Sequence, residues 1–157
     1  MQFINVDIRK MEEGDLPAVM EIENLCFVAP WKRENFLEEM NNQYANLWVV
    51  ELSAEGTPKQ VVGFSDYWQT FDSATICQIA VHPGIRRRQL GSALMDEIIN
   101  DCYAKRVQNI TLEVRKSNQI AINFYKKHGF SETLVKEKYY SNGEDAIYMM
   151  RGVDING

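Results

Sequence analysis

Three consecutive arginines, Arg86, Arg87 and Arg88, followed by Gln89, Leu90, Gly91 and Ser92, stand where an apolar strand-like stretch (Ile79, Ala80, Val81) gives way to a helical pattern. A turn that opens a helix displays backbone N–H groups with no intrahelical acceptor, together with the positive end of the helix dipole. Such a joint is an anion cradle, and arginines add fixed charge suited to phosphate. From these residues alone, an Arg-rich turn that is merely solvated is an equal reading. Two other phosphate devices are excluded: the chain has no G-x-x-x-x-G-K-[ST] and no G-x-G-x-x-G.

Glu113 closes an apolar stretch that includes Ile110, Leu112 and Val114. A carboxylate at a sheet's mouth can take a proton directly or through water, but alternation alone favours a surface carboxylate facing outward. Tyr125 carries a hydroxyl able to donate a proton; periodicity favours a core aromatic sharing a face with Ile120, Ala121 and Phe124. Tyr139 and Tyr140 are adjacent, so in a regular strand they face opposite sides and one alone reaches a substrate unless the chain bulges. His82 and His128 have no second ligand at helical spacing, so both read as non-catalytic and no metal is expected.

Local signals place these residues on elements. Asn5 to Lys10 reads as a strand, and Gly14-Asp15-Leu16-Pro17 supplies an Asp cap and an early proline for a helix ending near Phe27. Pro30-Trp31 interrupts, and Arg33 to Met40 resumes as a helix with Phe36, Leu37 and Met40 on one face. Three β-rich runs follow, 46–52, 60–68 and 74–81, separated by the turn-like EGTPK and TFDS. After Pro83-Gly84, the residues Leu90, Leu94, Ile98 and Cys102, flanked by Met95 and Ile99, define the buried stripe of an amphipathic helix. Asn109 to Val114 reads as a strand, Ser117-Asn118 caps a further helix, and Gly129 stands at its C′ position. The stretches 130–138 and 146–151 enclose the turn at Ser141-Asn142-Gly143 as a final hairpin. The fold class this order predicts is α/β in a mixed sense: a mostly antiparallel twisted sheet with helices on both faces, built as one domain over residues 1–157.

Composition bounds the function. The 157 residues are 45% hydrophobic and 25% charged, enough for one core. A formal charge of −5 and a pI near 5.1 argue against a general nucleic-acid or anionic-membrane binder and tolerate a basic partner. Cys26, Cys77 and Cys102 are odd in number and far apart, which suggests neither a disulfide framework nor a zinc site and fits reduced, cytoplasmic residence. No apolar signal core opens the chain, and no run approaches the roughly 18 apolar residues of a membrane helix.

The segment from Arg86 to Gly91 resembles the pyrophosphate motif of GNAT acetyltransferases, Q/R-x-x-G-x-G/A, with Arg86 first and Gly91 last. The blocks LEVRKSNQIAINFYKKHGF and KYYSNGEDAIYMM, and in style APWKRENF, are similar to those of RimI-type ribosomal-protein-alanine N-acetyltransferases, so the likeness covers nearly the whole chain. It implies acetyl-CoA as cosubstrate, held by the loop from Arg86 to Ser92, by Asn118 and by Tyr125. It also implies main-chain donors to the acyl oxygen from Ile79, Ala80 or Val81. In the same family Glu113 falls at the catalytic glutamate and Tyr125 at the general-acid tyrosine, with no cysteine intermediate. Tyr139 and Tyr140 match the paired tyrosines lining the peptide entrance. The acceptor it implies is the N-terminal alanine of a basic small-subunit ribosomal protein. An α-amine, with a pKa near 8, is neutral at pH 7 several hundred times more often than a lysine near 10.4, so a modest base suffices. The sequence departs from the motif at Gln89, where the family usually carries glycine. A side chain there is expected to force negative φ or crowd the phosphate. That departure motivates one rival, a coenzyme A-binding regulatory module without catalysis; the other rivals are acetyltransferases of small amines, of lysine or of other N-termini.

Overall fold

The strands of the computed structural model, which describes residues 4–85 and 89–153, form one seven-stranded sheet. They are β1 (Ile4–Lys10), β2 (Ala45–Ala54), β3 (Gln60–Thr70), β4 (Ser73–Val81), β5 (Asn109–Arg115), β6 (Ser131–Lys136) and β7 (Ala146–Gly152). Their order is β1-β2-β3-β4-β5-β7-β6. Pairing is antiparallel for β1–β2, β2–β3, β5–β7 and β6–β7, and parallel for β4–β5. The parallel pair requires a crossover, and α3 (Leu90–Ala104) lies in that connection. The other helices are α1 (Leu16–Cys26), α2 (Arg33–Met40) and α4 (Gln119–Lys127).

The chain divides into two compact units, 1–68 with 78–98 and 69–77 with 99–157; β3, β4 and α3 each contribute residues to both. In the first unit, α1 and α2 bury Leu16, Val19, Ile22 and Phe36 with Val49 and Phe64. The Phe36 ring meets Phe64 edge-on at 5.7 Å and Trp31 at 5.3 Å, an arrangement favoured by the ring quadrupoles. Leu90 and Leu94 join Val50 and Val62 in a second cluster. The predicted stripe of α3 is buried along its length, with Leu90, Leu94, Met95, Ile98 and Cys102 at most 4% exposed.

Asp15 departs from its expected role. It stands at the N-cap of α1 but makes no side-chain cap bond there. Its carboxylate instead receives both terminal nitrogens of Arg9 at 2.8 Å, which together with the Glu12 N–H holds its pKa below the usual carboxylate range. A bidentate guanidinium is a stronger partner than one helix N–H, and Arg9 is brought there by β1, which the local cap signal does not include.

Candidate active site

Alternation along β5 buries Ile110, Leu112 and Val114 on one face and turns Thr111, Glu113 and Arg115 to the other. Glu113 lies directly opposite Tyr148 across the antiparallel β5–β7 ladder, so their side chains share that face. On β6, the edge strand, an irregularity between Glu132 and Leu134 resets the register so that Leu134 faces Tyr148 and Lys136 faces Ala146. The Lys136 ammonium reaches Glu113 Oε1 at 2.7 Å and lies 5.0 Å from the Tyr148 ring centroid and 5.2 Å from that of Tyr139. The hydrogen bond to Glu113 raises the Lys136 pKa above the ordinary lysine value.

The tyrosine pair is not on a strand. β6 stops at Lys136, two residues short of the expected end, and Lys138 takes a left-handed φ of 52°. Tyr139 and Tyr140 lie in the following turn, their rings edge-on at 5.1 Å. Strand alternation therefore does not separate them. The Glu113 carboxylate, by its pull on the hydroxyl and by its charge, raises the Tyr139 pKa. Burial raises that of Tyr140, with Glu113 adding to the shift and Arg115 opposing it. The Arg115 guanidinium stacks 4.0 Å over the Tyr140 ring and donates to Glu144 Oε1 at 3.2 Å, while Glu144 Oε2 accepts the Ser117 N–H at 2.8 Å. This fastens the β6–β7 turn to the end of β5.

Asn118 caps α4 as expected, its Oδ1 accepting the Ala121 N–H at 3.1 Å. Gly129 ends the helix at φ 91°, a conformation open to glycine without penalty. Tyr125 is half-buried as a residue, edge-on to Phe124 at 5.5 Å and Phe130 at 5.9 Å. Burial first, then the field of Tyr140, pushes its pKa well above the ordinary tyrosine value, so it remains a neutral hydroxyl at working pH.

In the first unit, β4 carries Ile79, Ala80 and Val81 at its C-terminal end. A side chain at Gly63 would put Cβ 3.0 Å from the Ala80 carbonyl oxygen, a tight contact that glycine avoids. Gln89 is exposed and adopts φ 78°. This overturns the expectation of negative φ: the chain takes the glycine-like conformation with a side chain present. The Ala93 N–H donates to the Gln89 carbonyl at 2.7 Å, and the opening turn of a helix leaves its leading amides without an intrahelical acceptor. Arg86, Arg87 and Arg88 lie outside the described residues. His82 serves the turn, accepting the Gly84 N–H at 2.9 Å.

Lys136 and Tyr148 were not anticipated, because their signal is a strand register across a hairpin. Two buried carboxyls were also missed. Glu23, fully buried in α1, accepts the Trp31 N–H at 2.9 Å and the Gln78 side-chain amide at 3.0 Å, and burial raises its pKa. Asp66, fully buried on β3, has neither oxygen matched to a donor among the described residues. Burial, with Glu39 beside it, pushes its pKa up to about 9. Two carboxyls bond only through a shared proton, which is what a raised pKa supplies.

Residues 16–130 match the family model described as the acetyltransferase (GNAT) family. The chain belongs to that family. The GNAT chain is 34% identical over 145 residues to the [ribosomal protein bS18]-alanine N-acetyltransferase of Escherichia coli strain K12, covering 90% of this chain and 94% of that one. The crystal structure of the E. coli ribosomal-protein-S18-alanine N-acetyltransferase superposes with a TM-score of 0.83 at 31% identity, over 98% of this chain and 97% of the other. Ard1 from Thermoplasma volcanium gives a TM-score of 0.83 at 30% identity, over 95% and 98% of the two chains. This GNAT protein is an acetyl-CoA-dependent N-acetyltransferase. Among the described residues no helix is long and apolar enough to cross a membrane.

Proposed function

We propose that this enzyme acetylates the N-terminal α-amine of a protein beginning with alanine, a basic small-subunit ribosomal protein, in the cytoplasm. The observation that carries the reading is the ammonium held on Glu113 between the rings of Tyr139 and Tyr148: a carboxylate with aromatic faces around it binds a protonated amine and can then take its proton. The extent of the likeness to the E. coli alanine acetyltransferase supports a protein N-terminus as that amine.

In this mechanism Glu113 receives one proton of the acceptor ammonium, the neutral amine attacks the thioester carbonyl, and the tetrahedral intermediate collapses with cleavage of the C–S bond as the nitrogen's second proton passes through water to the leaving thiolate. Amides of the β4 segment Ile79 to Val81 stabilise the developing oxyanion. The Arg86 to Ser92 loop holds the pyrophosphate through backbone N–H groups, and the left-handed Gln89 suits that role because it keeps the path of a glycine. Asn118 adds a contact to coenzyme A. Tyr125 stands at the departing sulfur. Its pKa lies above the roughly 8.5 of a thiol, so complete proton transfer from Tyr125 to the thiolate is uphill and its main contribution is a hydrogen bond to the sulfur as charge develops. Tyr139 and Tyr140 line the acceptor entrance.

A second reading, acetylation of a lysine side chain, is favoured by the fact that the present occupant of the seat is itself a lysine ammonium. The proton balance opposes it, since Glu113 would have to deprotonate a group about 2.5 units more basic. The test is a peptide panel with acetyl-CoA: an Ala-initiated basic peptide, the same peptide blocked at its N-terminus with an internal lysine free, and small polyamines. Activity on the first and little on the second is expected. Preference for the blocked peptide or for polyamines would reject the N-terminal reading.

A further inference from the structure

Lys136 is placed where an acceptor's ammonium would have to go. Its Nζ lies 2.7 Å from Glu113 Oε1 and within 5.2 Å of both the Tyr139 and Tyr148 ring centroids. The Tyr139 hydroxyl lies in the field of the same carboxylate. Glu113 therefore has a cation bound to it before any substrate arrives. The neighbouring cation on β5, Arg115, is directed elsewhere, to the Tyr140 ring and Glu144. Lys136 is placed by the register of the β6–β7 hairpin, and the left-handed turn at Lys138 brings Tyr139 back against it.

Resting on the reading of Glu113 as the base, we propose that Lys136 is a positioning residue. Its ammonium holds the Glu113–Tyr139–Tyr148 seat until the acceptor's ammonium displaces it. The exchange replaces one cation by another on the same three groups, so the carboxylate stays paired throughout, and Tyr139 and Tyr148 face a cation in both states. Proton transfer to Glu113 then starts from the acceptor, because Lys136 has left. The lysine itself is a poor nucleophile in this place, since its hydrogen bond to Glu113 stabilises the charged form.

The exchange is a competition, and its cost falls on acceptor binding. Both partners are partly exposed, with side chains 38% and 25% accessible, and pairs of this kind shift an equilibrium by only about two- to fivefold. At saturating acetyl-CoA, Lys136→Met, which keeps the length of the side chain without its charge, should lower KM for the acceptor peptide by about threefold. Its kcat should stay within about twofold of wild type. Lys136→Arg, which offers two donors to the same carboxylate, should leave KM at or above the wild-type value.

A turnover-independent readout is the dimethyl-lysine signal of Lys136 in enzyme reductively methylated with 13C. Titration with the Ala-initiated peptide should move that signal toward its position in Glu113→Gln. A KM for Lys136→Met that is unchanged or raised, or a Lys136 signal indifferent to peptide, would overturn the exchange. If the wild-type enzyme does not acetylate the Ala-initiated peptide, the N-terminal reading fails by itself. The same comparison is then made with whichever amine of the panel is turned over, and the direction of the KM change still decides the role of Lys136.

Discussion

Replacing Gln89 with glycine removes a side chain from a residue held at φ 78° on the step into α3. An L-residue in the left-handed region is disfavoured by about 1–2 kcal/mol because Cβ crowds the following carbonyl. Glycine escapes that crowding but brings about 0.5–1 kcal/mol of extra backbone freedom to the unfolded chain. The difference predicts a net stabilisation of about 0.5–1 kcal/mol for Gln89→Gly, a rise in Tm of about 1–4 °C for a chain of this size. Coenzyme A affinity should stay within about twofold, because the loop already follows the path glycine would give it, and an exposed side chain is all that is removed. Gln89→Ala keeps Cβ and so keeps the crowding, and should melt within about 1 °C of wild type. Thermal unfolding by circular dichroism and isothermal titration with acetyl-CoA measure both quantities. A lower Tm for Gln89→Gly would refute the strain argument, and a tenfold loss of acetyl-CoA affinity would show that the Gln89 side chain is itself a ligand contact.

Glu113→Gln should retain acetyl-CoA binding and lose turnover by about 10² or more, read as kcat across pH 6 to 9, the range chosen for the assay; unchanged kinetics would remove Glu113 from the role of base. Tyr125→Phe should lower kcat by about tenfold while changing stability by only about 1 kcal/mol. Because the Tyr125 pKa stands well above the ordinary value, any alkaline fall in rate below pH 10 should persist in this variant. Asp66 retains its proton in the folded protein up to about pH 9, whereas the unfolded chain loses it near the ordinary aspartate value of 3.8. Its contribution to stability is therefore full below that lower value and declines as pH rises from there toward 9. Asp66→Asn, which keeps a neutral donor toward Glu39, should be more stable than wild type at pH 8 and less sensitive to pH between 5 and 8, as measured by Tm.

Much of the architecture is set by local pattern. Period and punctuation place α2, α3 and the seven strands close to their observed positions, because an amphipathic stripe such as Leu90, Leu94, Ile98 and Cys102 can be buried in only one periodicity. The Asn118 cap and the Gly129 terminator of α4 are local for the same reason: each is satisfied by backbone a few residues away. Glu113 and Tyr125 were legible as candidates, but residue pattern alone favoured a structural role for each, and the family likeness reversed that preference.

Tertiary structure decided what depends on distant segments or on a local backbone choice that residue type does not fix. Asp15 abandons its helix for Arg9 because β1 delivers a bidentate partner. Asp66 and Glu39 meet through the placement of α2 near β3. Tyr139 and Tyr140 escape strand alternation because β6 ends early and Lys138 turns left-handed, and Gln89 adopts a conformation that its side chain by itself disfavours. Lys136 and Tyr148 reach Glu113 only through the pairing of β5, β6 and β7, whose register is shifted at Glu132 and Leu134. A one-residue slip of either ladder would send those side chains to the opposite face, so the cation seat is a property of strand register, which no single stretch of sequence contains.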